Sequence, residues 1–190
     1  MSSNYSPLLD QFLPYFESLA GRGSILDLAC GTGRNGLLLA SRGIPVVFAD
    51  FNVASLERVQ QSLDGSSDSG DQAPLWQVDM EQANINPLEG KTFAGIMVFN
   101  YLHRPLMDSI KQAICPGGIV VYETFTVDQA QLGRPKNPDF LLQHGELKRY
   151  FSQWKILHWH EGIVDKPGGK GHSARAQVVA IKPGGEATKS

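Results

Sequence analysis

Ile25-Leu26-Asp27-Leu28-Ala29-Cys30-Gly31-Thr32-Gly33-Arg34-Asn35-Gly36 combines a short apolar run, one carboxylate and three glycines spaced as GxGxxG. Residues 25–29 are too few for a helix and, Asp27 aside, apolar, so they predict a buried strand. Gly31-Thr32-Gly33 predicts a loop. Residues 36–40 continue as a helix that Gly43 ends. Strand, glycine loop and helix in that order open a βαβ unit, and the same rhythm continues downstream.

Residues 45–49 form a second apolar run, stopped at Asp50, and 53–63 have helical spacing through Ala54, Leu56, Val59 and Leu63. Residues 64–74 hold almost nothing apolar and predict a mobile surface loop. Strands are expected at 75–78, ending at Asp79, and at 93–99, ending at Asn100. A helix over 106–114, a Pro116-Gly117-Gly118 turn and a strand over 119–122 follow. Residues 140–151 predict another helix. Residues 154–163 and 174–181 predict two strands joined by the glycine-rich 165–171, an antiparallel hairpin. Upstream, Leu8, Leu9, Phe12, Leu13, Phe16 and Leu19 paint one face of a helix over 6–20, with a kink or break expected at Pro14.

Near-continuous apolar strands alternating with helices predict an α/β fold: a Rossmann-like, seven-stranded sheet, mostly parallel, with an antiparallel C-terminal hairpin and helices on both faces. The 190 residues suit one domain, taken as 1–182 with helix 6–20 as a lid and 183–190 as a disordered tail. Apolar residues make up 42% and charged residues 19%, as in ordinary globular chains. The formal net charge of -2 argues against non-specific nucleic-acid binding. Cys30 and Cys115 lie far apart in sequence and read as reduced thiols. No apolar run is long enough to span a membrane, and the first residues lack a secretory pattern, so a cytoplasmic protein, monomeric or dimeric, is expected.

The glycine loop has two readings. With Asp50 nineteen residues after Gly31, it fits a nicotinamide dinucleotide fingerprint. Three flanking carboxylates favour S-adenosyl-L-methionine instead. Asp27 puts negative charge beneath the loop, which a pyrophosphate would avoid and an ammonium or sulfonium tolerates. Asp50 ends the second strand, where two oxygens can accept from both ribose hydroxyls. Asp79 can accept from an adenine amino group, with Met80 beside it. Each also has a plainer reading, as a cap or turn residue.

Residues 25–33, with Asp50, Asp79, the strand at 93–100 and the Pro116-Gly117-Gly118 turn, resemble the ordered motifs of class I S-adenosylmethionine-dependent methyltransferases over roughly 20–125. Ala29 stands where that family has its first glycine. Tyr122-Glu123-Thr124-Phe125, Gly133-Arg134-Pro135 and Asn137-Pro138 are similar to the small bacterial methyltransferases of the tellurite-resistance type. Residues and resemblance together place Asp27, Ala29, Gly31, Gly33, Asp50, Phe51, Asp79, Met80 and Asn100 at the cofactor.

Methyl transfer from a sulfonium needs alignment and dryness more than a base, so the lack of a catalytic triad is no objection. Tyr101 and His103, after the fourth strand, are expected to line the transfer site, with His172 and Arg175 reaching over it from the hairpin. Tyr101 can orient a nucleophile, His103 can accept a proton near pH 7, and Arg175 can hold an anion. The bland readings are that His103 starts a helix and Arg175 is a solvated strand residue. Asn100-Tyr101-Leu102-His103 departs from the Asn-Pro-Pro-Tyr of exocyclic-amine methylation, and neither cysteine suits cytosine-C5 chemistry. His158, His160 and His172 lack a completing carboxylate or cysteine pattern, so no metal is expected. A small-molecule acceptor, soft or anionic, is the first expectation and structured RNA the second. A nicotinamide oxidoreductase and a non-catalytic binding module are the other classes.

Overall fold

A computed structural model describes residues 5–65, 73–166 and 171–184. Every residue of β4 (Phe93–Phe99) is buried, the mark of a strand covered on both faces. It lies at the middle of a sheet with β1 (Ile25–Leu28), β2 (Val46–Asp50), β3 (Leu75–Gln77), β5 (Ile114–Phe125), β6 (Lys155–Asp165) and β7 (His172–Ile181). The sheet has seven strands in the order β3-β2-β1-β4-β5-β7-β6. From β3 to β5 all pairings are parallel, and β7 pairs antiparallel with both β5 and β6. The expected α/β architecture is therefore present, with β7 alone reversed.

Helices α1 (Pro7–Ser18), α2 (Arg34–Ala40) and α3 (Val53–Asp64) bury their apolar residues against one face, with Phe48, Met97 and Val121. Helices α4 (Met107–Ala113) and α6 (Glu146–Tyr150) cover the other, with Leu26, Ile96, Val98 and Tyr122. A single turn, α5 (Gln129–Leu132), follows β5. Among the described residues, no helix is long and apolar enough to cross a membrane.

Four expectations change in detail. First, α1 runs unbroken through Pro14. Leu8, Leu9, Phe12, Leu13 and Phe16 are buried on one face, each contributing about 1.5–3 kcal/mol, while Pro14 sits on the exposed side. That burial outweighs the roughly 3 kcal/mol an interior proline costs. Second, the helix expected over 140–151 shrinks to α6. Leu142 pairs with Thr126 as an isolated parallel bridge, and the Leu142 N–H donates to the Phe125 carbonyl at 2.9 Å, so that backbone is spoken for. Third, the turn at 116–118 is a bulge inside β5. The Gly117 N–H donates to Lys182 O and the Lys182 N–H to Gly118 O, which holds those residues in the sheet. Fourth, the helix expected over 106–114 ends at Ala113, and Ile114 already pairs with Phe93. Residues 66–72 of the expected loop, 167–170 of the hairpin connection and 185–190 of the tail lie outside the described residues.

Pro14→Ala is expected to raise stability by about 1–3 kcal/mol, since it restores a helix hydrogen bond at an exposed position. Urea unfolding checks it, and a variant no more stable than wild type shows that α1 has already absorbed the cost.

Candidate active site

The carboxyl ends of β1, β2 and β4 bring the glycine loop and its acids together. Asp27 is 2% exposed, and its Oδ2 accepts from the Gly36 N–H at 2.9 Å. Asp50 Oδ2 accepts from the Gly31 N–H at 2.7 Å and Oδ1 from the Asn52 N–H at 2.8 Å. The three glycines have different reasons to be glycine. A Cβ at Gly36 would lie 2.4 Å from Phe48 Cε1 and 2.7 Å from Asp27 Oδ2, and one at Gly33 would lie 2.7 Å from Val59 Cγ2. Those two let α2 press onto the sheet. Gly31 has φ +55°, and a Cβ there would meet nothing within 4 Å. Gly31 is thus the one that opens onto free space, where a ligand can approach. Ala29 is left-handed at φ +53° and Asn100 at φ +58°, each directly after its strand, which turns the chain sharply at the sheet edge.

Beside the loop, Phe51 is 69% exposed, an unusual position for a phenyl ring. Asp79 is exposed, and its Oδ1 accepts from the Glu81 N–H at 2.8 Å, while Met80 is buried. Met80, Glu81, Ile85, His103 and Leu106 line a cleft of about 550 Å³. Tyr101 packs against the core on the α4 side. Among the described residues its buried hydroxyl makes no hydrogen bond of good geometry, and burial followed by the neighbouring Glu81 carboxylate pushes its pKa up. The Tyr101 carbonyl accepts from the Tyr122 hydroxyl at 3.0 Å.

Arg175, on β7, meets Asn100 at the end of β4. Its Nη1 donates to Asn100 Oδ1 at 2.6 Å and to Glu123 Oε1 at 2.9 Å, and its Nε donates to Ser173 Oγ at 3.1 Å. The guanidinium carbon lies 4.3 Å above the Phe125 ring centroid. Burial draws the Arg175 pKa down, Glu123 opposes this, and the neighbouring Arg34 charge adds to it. Arg175 is thus locked by partners, not a solvated strand residue.

The sequence-expected residues form two groups. Asp27, Gly31, Gly33 and Asp50 share the glycine loop, and Asn100 belongs with Arg175. Tyr101 and His103 lie toward the α4 side, His103 in the cleft with Met80 and Glu81. His172 stays outside both groups: it is exposed and its Nδ1 lies 3.0 Å from Asp165 Oδ1. His158 Nε2 lies 3.1 Å from Gln177 Oε1, and among the described residues no group of three His, Cys, Asp or Glu could hold a metal. The Cys30 thiol is pushed well above its ordinary pKa by burial and by Asp27 and Asp50, so it is no nucleophile. Sequence reading missed Glu123, which bonds Arg175, together with Ser6 and Gln177, which bond Glu123, and Asn35, which bonds Ser6.

Burial pushes the Asp27 carboxyl from 3.8 up to about 7, with Asp50 adding and the Gly36 bond opposing. Between those values the folded protein keeps a proton that the unfolded chain has lost. Stability from this group is therefore present below about pH 4 and falls as pH rises through about 7. Three pK units correspond to roughly 4 kcal/mol. Asp27→Asn retains an acceptor for Gly36 and removes the charge. The wild-type-minus-variant stability is expected to fall by a few kcal/mol from pH 4 to pH 8, and urea melts across that range that stay parallel place Asp27 in contact with water.

The family model described as "Tellurite resistance protein TehB" matches residues 18–181. The probable S-adenosyl-L-methionine-dependent methyltransferase TehB of Haemophilus influenzae (strain Rd) is 28% identical over 145 residues, 73% of this chain and 48% of the relative. The putative methyltransferase YqeM of Bacillus subtilis is 28% identical over 123 residues, 60% of this chain and 47% of the relative. The chain thus spans about half the length of the curated relatives it matches. The crystal structure of Haemophilus influenzae TehB superposes with a TM-score of 0.72 at 20% identity, covering 91% of this chain and 62% of that one. The glycopeptide N-methyltransferase MtfA in complex with S-adenosyl-L-methionine superposes at 0.59 with 18% identity, covering 90% and 92%. With the family model running from the end of α1 to the end of β7, and with the strand order and glycine loop of a class I methyltransferase fold, this chain belongs to the TehB family of tellurite resistance proteins.

Proposed function

We propose that this chain transfers a methyl group from S-adenosyl-L-methionine to a small anionic acceptor. The observation that carries this is the glycine loop set between Asp27 and Asp50, with Gly31 facing free space and Phe51 exposed beside it. When bound, the cofactor supplies a methyl group on a positively charged sulfur that leaves as a neutral thioether.

The chain's own residues fit that cofactor. Each Asp50 oxygen already accepts one backbone N–H and keeps a lone pair for a ribose hydroxyl. Phe51 offers an apolar face for a base, and Asp79 with Met80 offers an acceptor and an apolar wall. Asp27 supplies negative charge under the loop, suited to a cation. The arrangement tells against a nicotinamide dinucleotide. The Gly31 and Gly36 amides, which a pyrophosphate would use, are taken by two carboxylates that would repel it.

On the acceptor side, Arg175 and Arg34 bring two guanidinium groups near one another, and burial strengthens their pull on an anion. Among the described residues, Arg175 Nη2 has no protein partner, which leaves a donor for the acceptor. The names of the relatives support methyl transfer, and the family's name makes tellurite the first acceptor to try. A lone-pair acceptor attacks the methyl carbon while the carbon–sulfur pair goes to sulfur, so no base is required unless the acceptor carries a proton. His103 lines the cleft beside Met80 and stands as the base in that case. Structured RNA is the second reading, and the net charge of -2 tells against it.

Mass spectrometry of ligand released from the purified protein is expected to find adenosylmethionine or adenosylhomocysteine; a nicotinamide dinucleotide refutes the assignment. Asp50→Ala is expected to weaken adenosylmethionine by about 2–3 kcal/mol, because two ribose hydroxyls lose a charged acceptor. Calorimetry giving near-wild-type affinity removes Asp50 from the site. Labelled methyl is expected on tellurite and not on total tRNA or rRNA; the reverse distribution makes RNA the acceptor.

A further inference from the structure

Glu123 is a buried carboxylate that cofactor binding does not use. It stands in β5, 8% exposed, and three donors converge on it. Arg175 Nη1 reaches Oε1 at 2.9 Å, while Ser6 Oγ at 3.1 Å and Gln177 Nε2 at 2.9 Å share Oε2. Ser6 is the N-cap of α1: its Oγ accepts from the Leu8 N–H at 3.4 Å. The Ser6 N–H donates to Asn35 Oδ1 at 2.9 Å, and Asn35 sits in the first turn of α2, directly after the glycine loop. Glu123 therefore joins three parts: the Arg175 guanidinium, the start of α1, and, through Ser6, the helix that follows the cofactor loop.

The geometry at Arg175 is correspondingly fixed. Nη1 is held by Glu123 and Asn100, Nε by Ser173, and one face by Phe125. Among the described residues Nη2 is left without a protein partner, and the bonds to Nε and Nη1 fix the plane in which its two N–H groups point. Glu123 cannot be there to strengthen attraction for an anion, because its own charge weakens it. What it supplies is orientation. Packing alone does not account for the carboxylate, since an apolar residue would fill the strand without desolvating a charge.

We propose that Glu123 is a positioning residue for the transfer: it fixes the Arg175 fork toward the acceptor, and Ser6 ties that arrangement to the docking of α1. This role presupposes the methyl-transfer reading with an anion at Arg175. It separates orientation from affinity, so its signature is a loss of kcat without a matching rise in KM.

The test uses the full chain with adenosylmethionine and tellurite, comparing Glu123→Gln, Ser6→Ala and the double variant. Glu123→Gln keeps the shape and one acceptor oxygen. It is expected to lower kcat at least tenfold, to leave the tellurite KM within threefold or lower it, and to leave adenosylhomocysteine affinity within twofold. Ser6→Ala is expected to lower kcat about threefold to tenfold and to speed amide exchange across Leu8–Phe16. The double variant is expected to be no worse than Glu123→Gln alone, because both act through one arrangement. Wild-type kcat in both single variants overturns the proposal, as does a rise in KM with kcat unchanged. The Arg175 Nε–H resonance of the adenosylhomocysteine-loaded protein gives a readout that needs no turnover, assigned by its absence in Arg175→Lys. It is expected to be protected from solvent exchange in wild type and to lose that protection in Glu123→Gln. That loss in a protein that leaves tellurite unmethylated refutes the acceptor and keeps the positioning role, whereas an unchanged resonance overturns the role itself.

Discussion

The Asp27 carboxylate bonded to the Gly36 N–H sets the geometry of everything around the loop. It joins the first strand to the helix that follows it, across the glycine turn, within a region sealed from water. For the bond to form, α2 must lie close to β1, so position 36 must lack a side chain and Phe48 must pack where a Cβ would have been. Gly33 makes the same concession to Val59. With α2 pressed down, the Gly31 amide reaches Asp50 on the neighbouring strand. A carboxylate in a buried strand opposes folding once it ionises, and burial raises its pKa accordingly, so a cation bound over the loop would offset that cost.

Charge is divided across the sheet edge in a way that follows from topology. Asp27, Asp50 and Asp79 come from β1, β2 and the segment after β3, so one half of the edge is acidic. Arg175 comes from β7, the one reversed strand. In an antiparallel neighbour the early residues lie at the carboxyl ends of the parallel strands, so reversal is what delivers Arg175 and Gln177 there. On the proposed reading, a cationic donor occupies the acidic half and an anionic acceptor the basic half. Transfer takes one positive charge from the sulfur and one negative charge from the acceptor, so the attraction between donor and acceptor falls as the methyl moves.

The sheet was legible in the sequence because its strands are apolar runs broken by glycine, proline and acids. β4 was read to the residue, since all its positions are apolar and Asn100 stops it. The acids at the sheet edge were legible for the same reason: a carboxylate at the end of an apolar run stands out. Glu123 offered the identical signal, a carboxylate inside Ile119-Val120-Val121-Tyr122-Glu123-Thr124-Phe125, but the strand was closed at Tyr122 and the signal was lost with it. The helix over 140–151 failed because periodicity reports which side chains are apolar and not whether the backbone has partners elsewhere, as Leu142 does with Phe125 and Thr126. Arg175 is expected at the acceptor from the sequence, but the residues that hold it are not legible there, because Asn100 and Glu123 are 75 and 52 positions away.

Apolar burial holds α1 along its length, and at its N-cap two hydrogen bonds are added, which bears on how the acceptor side is organised. Toward its C-terminus the helix is anchored by Phe12, Leu13 and Phe16 in a shared apolar cluster with Phe48 and Val121. At its N-terminus Ser6 is held by two hydrogen bonds, one to Asn35 and one to the Glu123 carboxylate. Hydrogen bonds of these kinds contribute about 0.5–3 kcal/mol each, less than the burial of several large apolar side chains. Leu8 and Leu9 in the first turn belong to the same cluster, so α1 stays packed even when the Ser6 bonds are lost. Release of Ser6 takes a donor from Glu123 and a partner from Asn35 at once. On the proposed reading, loss of the Ser6 bonds slackens the Arg175 fork while α1 stays packed on the sheet, so alignment of the acceptor and exclusion of water rest on different contacts: the first on hydrogen bonds to one carboxylate, the second on apolar burial.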